Sequence, residues 1–259
     1  MKTSVIVVHH NTPKLTTNCV ASLRRHLGSA VEIIVVNNGR DAYRPAGKEV
    51  PIKIIELGEN IGYGASNNRG AEIAKGDILW FLNPDTRVVD GSMDKLLRFI
   101  SSRNDVAAVS PLLYNDGQCR HLQPDFIARR QTIGNLLLRR AQSKLNIDGQ
   151  EFINADVIVG ASMVMRREVF EELGGFDEKI FMYLEDDDLC YRAQKAGYRV
   201  GVYTKARVVH LQGQSIKSNK KRKRLYYESQ NYFWRKHYGV AMMWLMRVLR
   251  WPLKFIKTI

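Results

Sequence analysis

Two acidic stretches carry most of the chemistry this sequence could perform. The first is Asp85, in Asn83-Pro84-Asp85-Thr86 directly after the apolar run Ile78 to Leu82. A lone carboxylate pinned by a preceding proline at the carboxyl end of a buried strand is placed to hold a divalent metal carrying a diphosphate. The same four residues also read as an ordinary turn closing a strand. The second stretch is Glu185-Asp186-Asp187-Asp188, inside FMYLEDDDLCYR (Phe181 to Arg192). In the first turn of a helix over Asp186 to Ala196 these acids would meet free backbone amides and the positive end of the macrodipole. A solvated helix cap is the plainer alternative. Phe181, Met182, Tyr183 and Leu189 are apolar enough to bury part of the block, and crowded, desolvated carboxylates have raised pKa values. A carboxylate raised in this way is a usable general base near neutral pH. His210, ending the run Ala206 to His210, is a structural histidine or, if it reaches a pocket that holds an Asp, a metal ligand.

Alternating strands and helices must position these residues. Ser4 to Val8 and Val31 to Val36 read as buried strands around a helix over Leu15 to Leu27 that stops at Gly28, a βαβ unit with a right-handed crossover. Ile52 to Leu57 is a third strand. Glu59 to Gly70 (ENIGYGASNNRG) packs glycine and asparagine into a turn and a helix start, which Ala71 to Lys75 continues to a stop at Gly76. Ile78 to Leu82 then reads as a strand buried on both faces. Beyond it come a helix over Met93 to Ser101, a strand over Val106 to Leu113, and a polar insert, 114–153, with a helix near Ile133 to Lys144. The apolar run resumes over Ala155 to Met165, broken by Gly160, Ala161 and Ser162, small residues that permit close approach of a ligand. A short helix over Glu168 to Leu173 and a strand over Tyr198 to Tyr203 follow. Neither the third glycine of a dinucleotide fingerprint nor a Gly-Lys-Ser/Thr phosphate loop follows Gly62 and Gly64, which disfavours a simple dehydrogenase or P-loop enzyme.

Composition narrows the class further. The 259 residues are 45% hydrophobic and 25% charged, ordinary for a globular protein with one sizeable core. Cys19, Cys119 and Cys190 are odd in number and lack metal-ligand spacing, so free thiols in a reducing compartment are expected, and the N-terminus has no signal-peptide pattern. The net charge is +14, but twelve basic residues from Lys217 onward face the single acid Glu228, so +11 belongs to the tail.

With both acidic stretches in place, the chain resembles the family 2 glycosyltransferases, in particular the bacterial rhamnosyltransferase-like branch. The matching stretches are SVIVVHHN (Ser4 to Asn11), VVNNG (Val35 to Gly39), ENIGYGASNNRG, GDILWFLNPDT (Gly76 to Thr86), the long run Gly160 to Val200, and VVHLQGQS (Val208 to Ser215), in the family's order and spacing. The resemblance implies a GT-A fold, an α/β architecture with a Rossmann-like, mostly parallel sheet flanked by helices. Residues 1–215 would be the catalytic domain, with a nucleotide-sugar half (1–90) and an acceptor half (91–215). It implies an inverting transfer from a nucleoside diphosphate sugar, with Mg2+ or Mn2+ as cofactor. Asp85 matches the metal-binding acid of the Asp-X-Asp motif, whose first acid is Asn83 here, and His210 matches a histidine that completes the metal shell. Asp186 matches the catalytic base, with Glu185 beside it on acceptor hydroxyls. His9, Asn11, Asn38, Asn60, Gly62 and Asn67 would line the nucleotide-sugar site, and Gly160, Ala161, Glu185 and Asp188 the acceptor site. Asn37 stands where the family usually has an Asp that accepts from the pyrimidine imide N–H; an amide oxygen can still accept, without charge. The donor so implied is dTDP-L-rhamnose, for cell-surface polysaccharide assembly. A UDP-hexose or UDP-N-acetylhexosamine transferase is the near alternative, and a non-catalytic carbohydrate- or nucleic-acid-binding protein the alternative of another class.

The tail, 216–259, joins a basic run to aromatic residues. Tyr226, Tyr232, Phe233 and Trp234 read as the packing face of a helix. Beyond Gly239, Arg247, Arg250, Lys254 and Lys257 recur as one helical stripe opposite Trp244, Leu245, Val248, Leu249, Trp251, Phe255 and Ile256, with Pro252 as a kink. The uncharged run Val240 to Met246 is far shorter than the ~20 residues of a membrane span. A cationic amphipathic helix of this kind lies in the interface of an anionic bilayer. The expectation is a cytoplasmic enzyme, peripheral on the inner face of the plasma membrane, acting on a lipid-linked glycan acceptor. A homodimer helix is the competing reading, and nucleic acid is not expected as a partner because no recognised binding motif accompanies the charge.

Overall fold

The structure is a computed structural model that describes residues 1–27, 31–44, 52–124, 126–132, 134–135, 149–211 and 219–250. The expected helix near Ile133 to Lys144, the stop at Gly28, and Pro252, Lys254 and Lys257 of the tail stripe lie almost wholly outside these residues.

The N-terminal half follows the expected βαβ logic. Strands β1 (Thr3–His9), β2 (Val31–Asn37), β3 (Lys53–Glu56) and β4 (Ile78–Leu82) pair in parallel in the order β3-β2-β1-β4, with α1 (Pro13–Leu27) and α2 (Tyr63–Ile73) as crossovers. β4 is buried along its whole length because it is flanked on both edges and covered on both faces. Phe81 packs at 4.9 Å from Phe170 and 5.0 Å edge-on to Phe176, and Trp80 Nε1 donates to Ser162 Oγ at 3.0 Å. Each such aromatic contributes about 1.5–3 kcal/mol of burial, which fixes the strand that ends at Asn83.

Beyond β4 antiparallel strands join the mostly parallel sheet. β5 (Thr86–Val88), β6 (Val106–Tyr114), β8 (Phe152–Asn154), β10 (Ser162–Arg166) and β11 (Arg199–His210) extend it in the order β4-β10-β6-β11-β5, with β8 also on β11. β10 is antiparallel to both neighbours, and β5 and β8 are antiparallel to β11. α3 (Ser92–Ser101) covers this half, and β7 (Ile127–Ala128) pairs separately with β9 (Val157–Ile158).

Two strand expectations are corrected. The run Ala155 to Met165 is not one strand: β9 and β10 are separated by a turn at Gly160 and Ala161. Conversely, Tyr198 to Tyr203 and Ala206 to His210 form one strand, β11, whose pairing with β6 shifts register between Tyr203 and Arg207. The shift lets a twelve-residue strand cross the sheet and deliver His210 beside Asp85.

Helices α4 (Arg167–Glu172) and α5 (Glu185–Lys195) follow, and the tail forms α6 (Asn219–Tyr238) and α7 (Val240–Arg250), reversed at Gly239 with φ 89°. Phe233, Trp234 and Met246 are buried under this hairpin. Arg250 departs from the expected solvent-facing stripe: it is buried, donating to Gln230 Oε1, Asn231 Oδ1 and the Met246 carbonyl. Its partners on α6 make burial of the cation tolerable. No described helix is long and apolar enough to cross a membrane.

Candidate active site

The two acidic stretches meet at the Gly160–Ala161 turn. Gly160 N–H donates to Asp186 Oδ2 at 2.9 Å, the Gly160 carbonyl accepts from Tyr63 Oη at 2.8 Å, and the Ala161 carbonyl accepts from Asn83 N–H at 2.9 Å. One turn thus fixes the acid of α5, the start of α2 and the strand end that carries Asp85. Tyr63, half-buried, has its phenol pushed far up, by desolvation first and then by the charges of Glu185, Asp186 and Asp85.

The metal expectation rests on Asp85 and His210, both almost fully buried, with Asp85 Oδ1 at 3.3 Å from His210 Nε2. His210 Nδ1 lies 2.9 Å from Gln123 Oε1, a pure acceptor, so Nδ1 carries a proton. With Nδ1 donating to Gln123, the other ring nitrogen, Nε2, is the one that faces the Asp85 carboxylate. That donor set fits a divalent cation. Among the described residues no three metal-ligating side chains converge, and Asp85 and His210 are the two that face each other here. A diphosphate and water suit the remaining positions, as is usual for Mg2+. Asn83 contributes backbone: its carbonyl accepts from Thr86, closing the turn that aims Asp85.

Asn37 is the residue expected at the nucleotide base. Its Nδ2 donates to the Asp41 carbonyl at 2.7 Å and to Glu56 Oε2 at 2.5 Å, which fixes the amide's orientation and leaves the buried Oδ1 without a partner. A Cβ on Gly39 would stand 3.2 Å from Asn11 Oδ1 and 3.3 Å from Asn37 Oδ1, so glycine keeps that acceptor open. An orphaned, oriented acceptor is what a pyrimidine imide N–H requires. Asn11 sits exposed in a left-handed conformation with φ 55°. His9 is buried against Tyr43, with Nδ1 at 2.7 Å from Thr16 Oγ1, and burial followed by the nearby His10 lowers its pKa.

Asn38, Asn60 and Gly62 brace the loop that faces the site. Asn38 Oδ1 accepts from Ile61 N–H, its Nδ2 donates to Asn60 Oδ1, and Asn60 Oδ1 accepts from Gly62 N–H. Gly62 has φ 97°, and a Cβ there would meet the Phe181 carbonyl at 2.6 Å, so it lets α2 dock under the loop leading to Glu185. Asn67 is fully buried, its Nδ2 donating to the Tyr63 carbonyl and its Oδ1 left without a partner.

The four acids of α5 have separate environments. Tyr183 and Leu184 both adopt left-handed backbone, turning the chain sharply into the helix. Glu185 and Asp187 are buried, while Asp186 alone keeps partial exposure toward the cleft. Burial raises the pKa of all three, and the Asp186 charge raises Glu185 and Asp187 further. Glu185 Oε2 has no partner. Asp188 corrects the acceptor-site expectation. It is fully buried on the opposite side of the helix, accepting from Arg192 Nε at 2.7 Å, Lys236 Nζ at 2.6 Å and His237 Nε2 at 2.7 Å. Burial would raise its carboxyl, but His237, Arg192 and Lys236 outweigh it and hold the pKa at about 2.

Three further residues belong to the site. Gln123 orients His210, Tyr63 braces the turn, and Gln131 Nε2 donates to Asp187 Oδ1 at 3.2 Å while its Oε1 accepts from Gln230 of α6 at 2.9 Å. The two glutamines lie in the polar insert, where nothing in their spacing marks them. Tyr63 was legible only as the residue between two glycines.

Against this geometry, the sequence profile described as glycosyl transferase family 2 matches residues 4–174, about two thirds of the chain. The chain belongs to that family. A second profile, described as the N-terminal domain of galactosyltransferase, matches residues 150–214, which carry the Gly160 turn, the α5 acids and His210. Among curated relatives, the chain is 28% identical over 228 residues to the O-antigen biosynthesis protein RfbC of Myxococcus xanthus, covering 84% of this chain and 18% of that protein. It is 28% identical over 220 residues to the N-acetylglucosaminyl-diphospho-decaprenol L-rhamnosyltransferase of Mycobacterium tuberculosis, covering 76% and 71%. Among solved structures, GalNAc-T7 with UDP, GalNAc and Mn2+ superposes with a TM-score of 0.65 at 18% identity, covering 96% of this chain and 54% of that one. The mannosyltransferase PcManGT of Pyrobaculum calidifontis, with GDP-Man and Mn2+, gives 0.57 at 16% identity, covering 95% and 64%. The fold is therefore that of the GT-A glycosyltransferases, and the family 2 glycosyltransferase spans only part of several of these relatives.

Proposed function

We propose that this family 2 glycosyltransferase moves a sugar, L-rhamnose from dTDP-L-rhamnose, onto a hydroxyl of a lipid-linked or polysaccharide acceptor with inversion at the anomeric carbon. The observation that carries the reading is the Gly160–Ala161 turn, which holds the partly exposed Asp186 and the Asp85 strand end to one cleft. Asp186 takes the proton of the acceptor hydroxyl as that oxygen bonds to the anomeric carbon and the bond to the diphosphate breaks. Gly160 N–H holds the carboxylate in place, and the buried Glu185 orients the acceptor. A divalent metal held by Asp85 and His210 would neutralise the leaving diphosphate. No covalent glycosyl intermediate is needed.

The donor sugar follows the mycobacterial and O-antigen relatives. Asn37 Oδ1 suits thymine and uracil alike, because both present the same imide N–H, so a UDP-sugar is the second reading. Calorimetric titration of dTDP, UDP and GDP, each with and without Mn2+, into wild type and Asp85→Ala tests the site. Metal-dependent binding of a pyrimidine nucleotide, lost in the variant, is expected. Binding of none, or equal binding by Asp85→Ala, would overturn it. Inversion is then read from the anomeric configuration of the product by NMR.

A further inference from the structure

The α6–α7 hairpin leaves one face unexplained by the catalytic site. On α7, Val240, Trp244 and Val248 recur every fourth residue as a single outer stripe, with Leu245 beside it; their exposures are 55%, 53%, 66% and 44%. Met246 and Arg250 hold the inner side of the same helix. Such a contiguous apolar stripe in water marks a surface built to be covered. The charge around it is predominantly positive: α7 has no acid, Arg247 lies over the Trp244 ring at 4.3 Å, and Lys220 to Arg224 are all exposed at the start of α6, whose acid Glu228 pairs with Arg224.

We propose that this hairpin seats its outer face on an anionic lipid surface, with Trp244, Leu245 and Val248 in the acyl boundary and the basic residues at headgroup level. Charge decides the occupant. A second copy would bring another +11 tail against the first, whereas anionic headgroups complement it. Trp244 suits the seat, because an indole under a guanidinium is apolar at one face and cationic at the other.

The seat also aims the catalytic site. Ser229 Oγ of α6 donates to the Met182 carbonyl at 2.7 Å, and Tyr226 lies edge-on to Tyr183 at 6.3 Å. The hairpin is thus fixed to the loop that leads directly into Glu185 and Asp186. A hairpin lying on the bilayer keeps those acids close to its surface, where the hydroxyl of a lipid-carried acceptor arrives. This last step rests on the lipid-linked reading of the acceptor; the docking itself does not.

The test is flotation of the full chain with vesicles of phosphatidylcholine alone and with about one third phosphatidylglycerol, without nucleotide or sugar, so that it is independent of the transfer reading. Wild type is expected to float with the anionic vesicles and not with the neutral ones, and to be released by high salt. Trp244→Glu/Val248→Glu should lower the partition about tenfold or more, and Lys220→Glu/Lys223→Glu should weaken it and its salt dependence. Nucleotide binding confirms that each variant is folded; if the glutamate pair fails to fold, Trp244→Ser/Val248→Ser replaces it. Equal flotation of wild type and variants, or none by wild type, overturns the proposal. So does a dimer seen by light scattering that Trp244→Glu/Val248→Glu dissociates.

Discussion

His210 Nε2 and Asp85 Oδ1 face each other at 3.3 Å because Gln123, from the other side of the ring, holds the imidazole by Nδ1 at 2.9 Å. This relay makes the metal pair depend on a residue that touches no ligand. Removing the outer partner of a metal-bound histidine typically costs 10–100-fold in affinity. Gln123→Leu is therefore expected to weaken Mn2+-dependent nucleotide binding about 10–100-fold, with metal-independent binding unchanged. His210→Ala should remove the metal dependence altogether. Calorimetry at several Mn2+ concentrations separates the two.

Asp186 must be ionised to accept a proton, and burial raises its pKa. The acidic limb of kcat/KM against pH is expected to lie above the ordinary Asp value of about 3.9, activity rising with pH through it. Asp186→Asn should lower kcat about 10²–10⁴-fold with little change in donor binding. Glu185→Gln should act mainly on the acceptor KM. Loss of donor binding in Asp186→Asn would assign that acid to the nucleotide side instead.

The Asn37–Glu56 pair suits an amide, and not an acid, at position 37. Glu56 Oε2 lies 2.5 Å from Asn37 Nδ2, so an Asp at position 37 would confront a second carboxylate at hydrogen-bond distance. Asn37→Asp is expected to weaken pyrimidine nucleotide binding about tenfold or more by that repulsion, and Asn37→Asp/Glu56→Gln to recover most of it. Calorimetric titration of the two single variants and the double variant completes the cycle.

The legible parts of the fold were those where one local pattern decides. Ile78 to Leu82 is an unbroken apolar run closed by a proline turn, and reads as a strand buried on both faces. Direction within the acceptor half was not legible. β10 runs antiparallel because the Gly160–Ala161 turn sends it back along β4, and two small residues say that close approach is possible without saying which strand reverses. Asp188 was misread for a similar reason. Adjacent helical residues point about 100° apart, so the fourth acid of a run must leave the face of the second. Its partners, Lys236 and His237, lie nearly fifty residues away in a tail that reads as purely basic.

That same Asp188 predicts how the tail is held to the catalytic body. Its pKa of about 2 lies below the unfolded value of about 3.8, so its contribution is present above pH ~4 and lost as pH falls through ~2. Glu185 and Asp187 have the opposite sign. Their pKa values are raised, so their protonation favours the fold, and that stabilisation is full below ~4 and fades as pH rises through their folded values. Asp188→Asn should therefore flatten the acid limb of the stability curve while leaving the neutral-side decline in place. It would also leave Arg192, Lys236 and His237 facing a neutral amide, and breaking a buried ion pair costs about 3–5 kcal/mol. For a domain of this size that lowers Tm by roughly 10 °C near neutral pH. Calorimetric melts of wild type and Asp188→Asn from pH 3 to 8 measure both effects. Stability curves that superpose near neutral pH would mean that the charges around Asp188 do not hold α6 to α5.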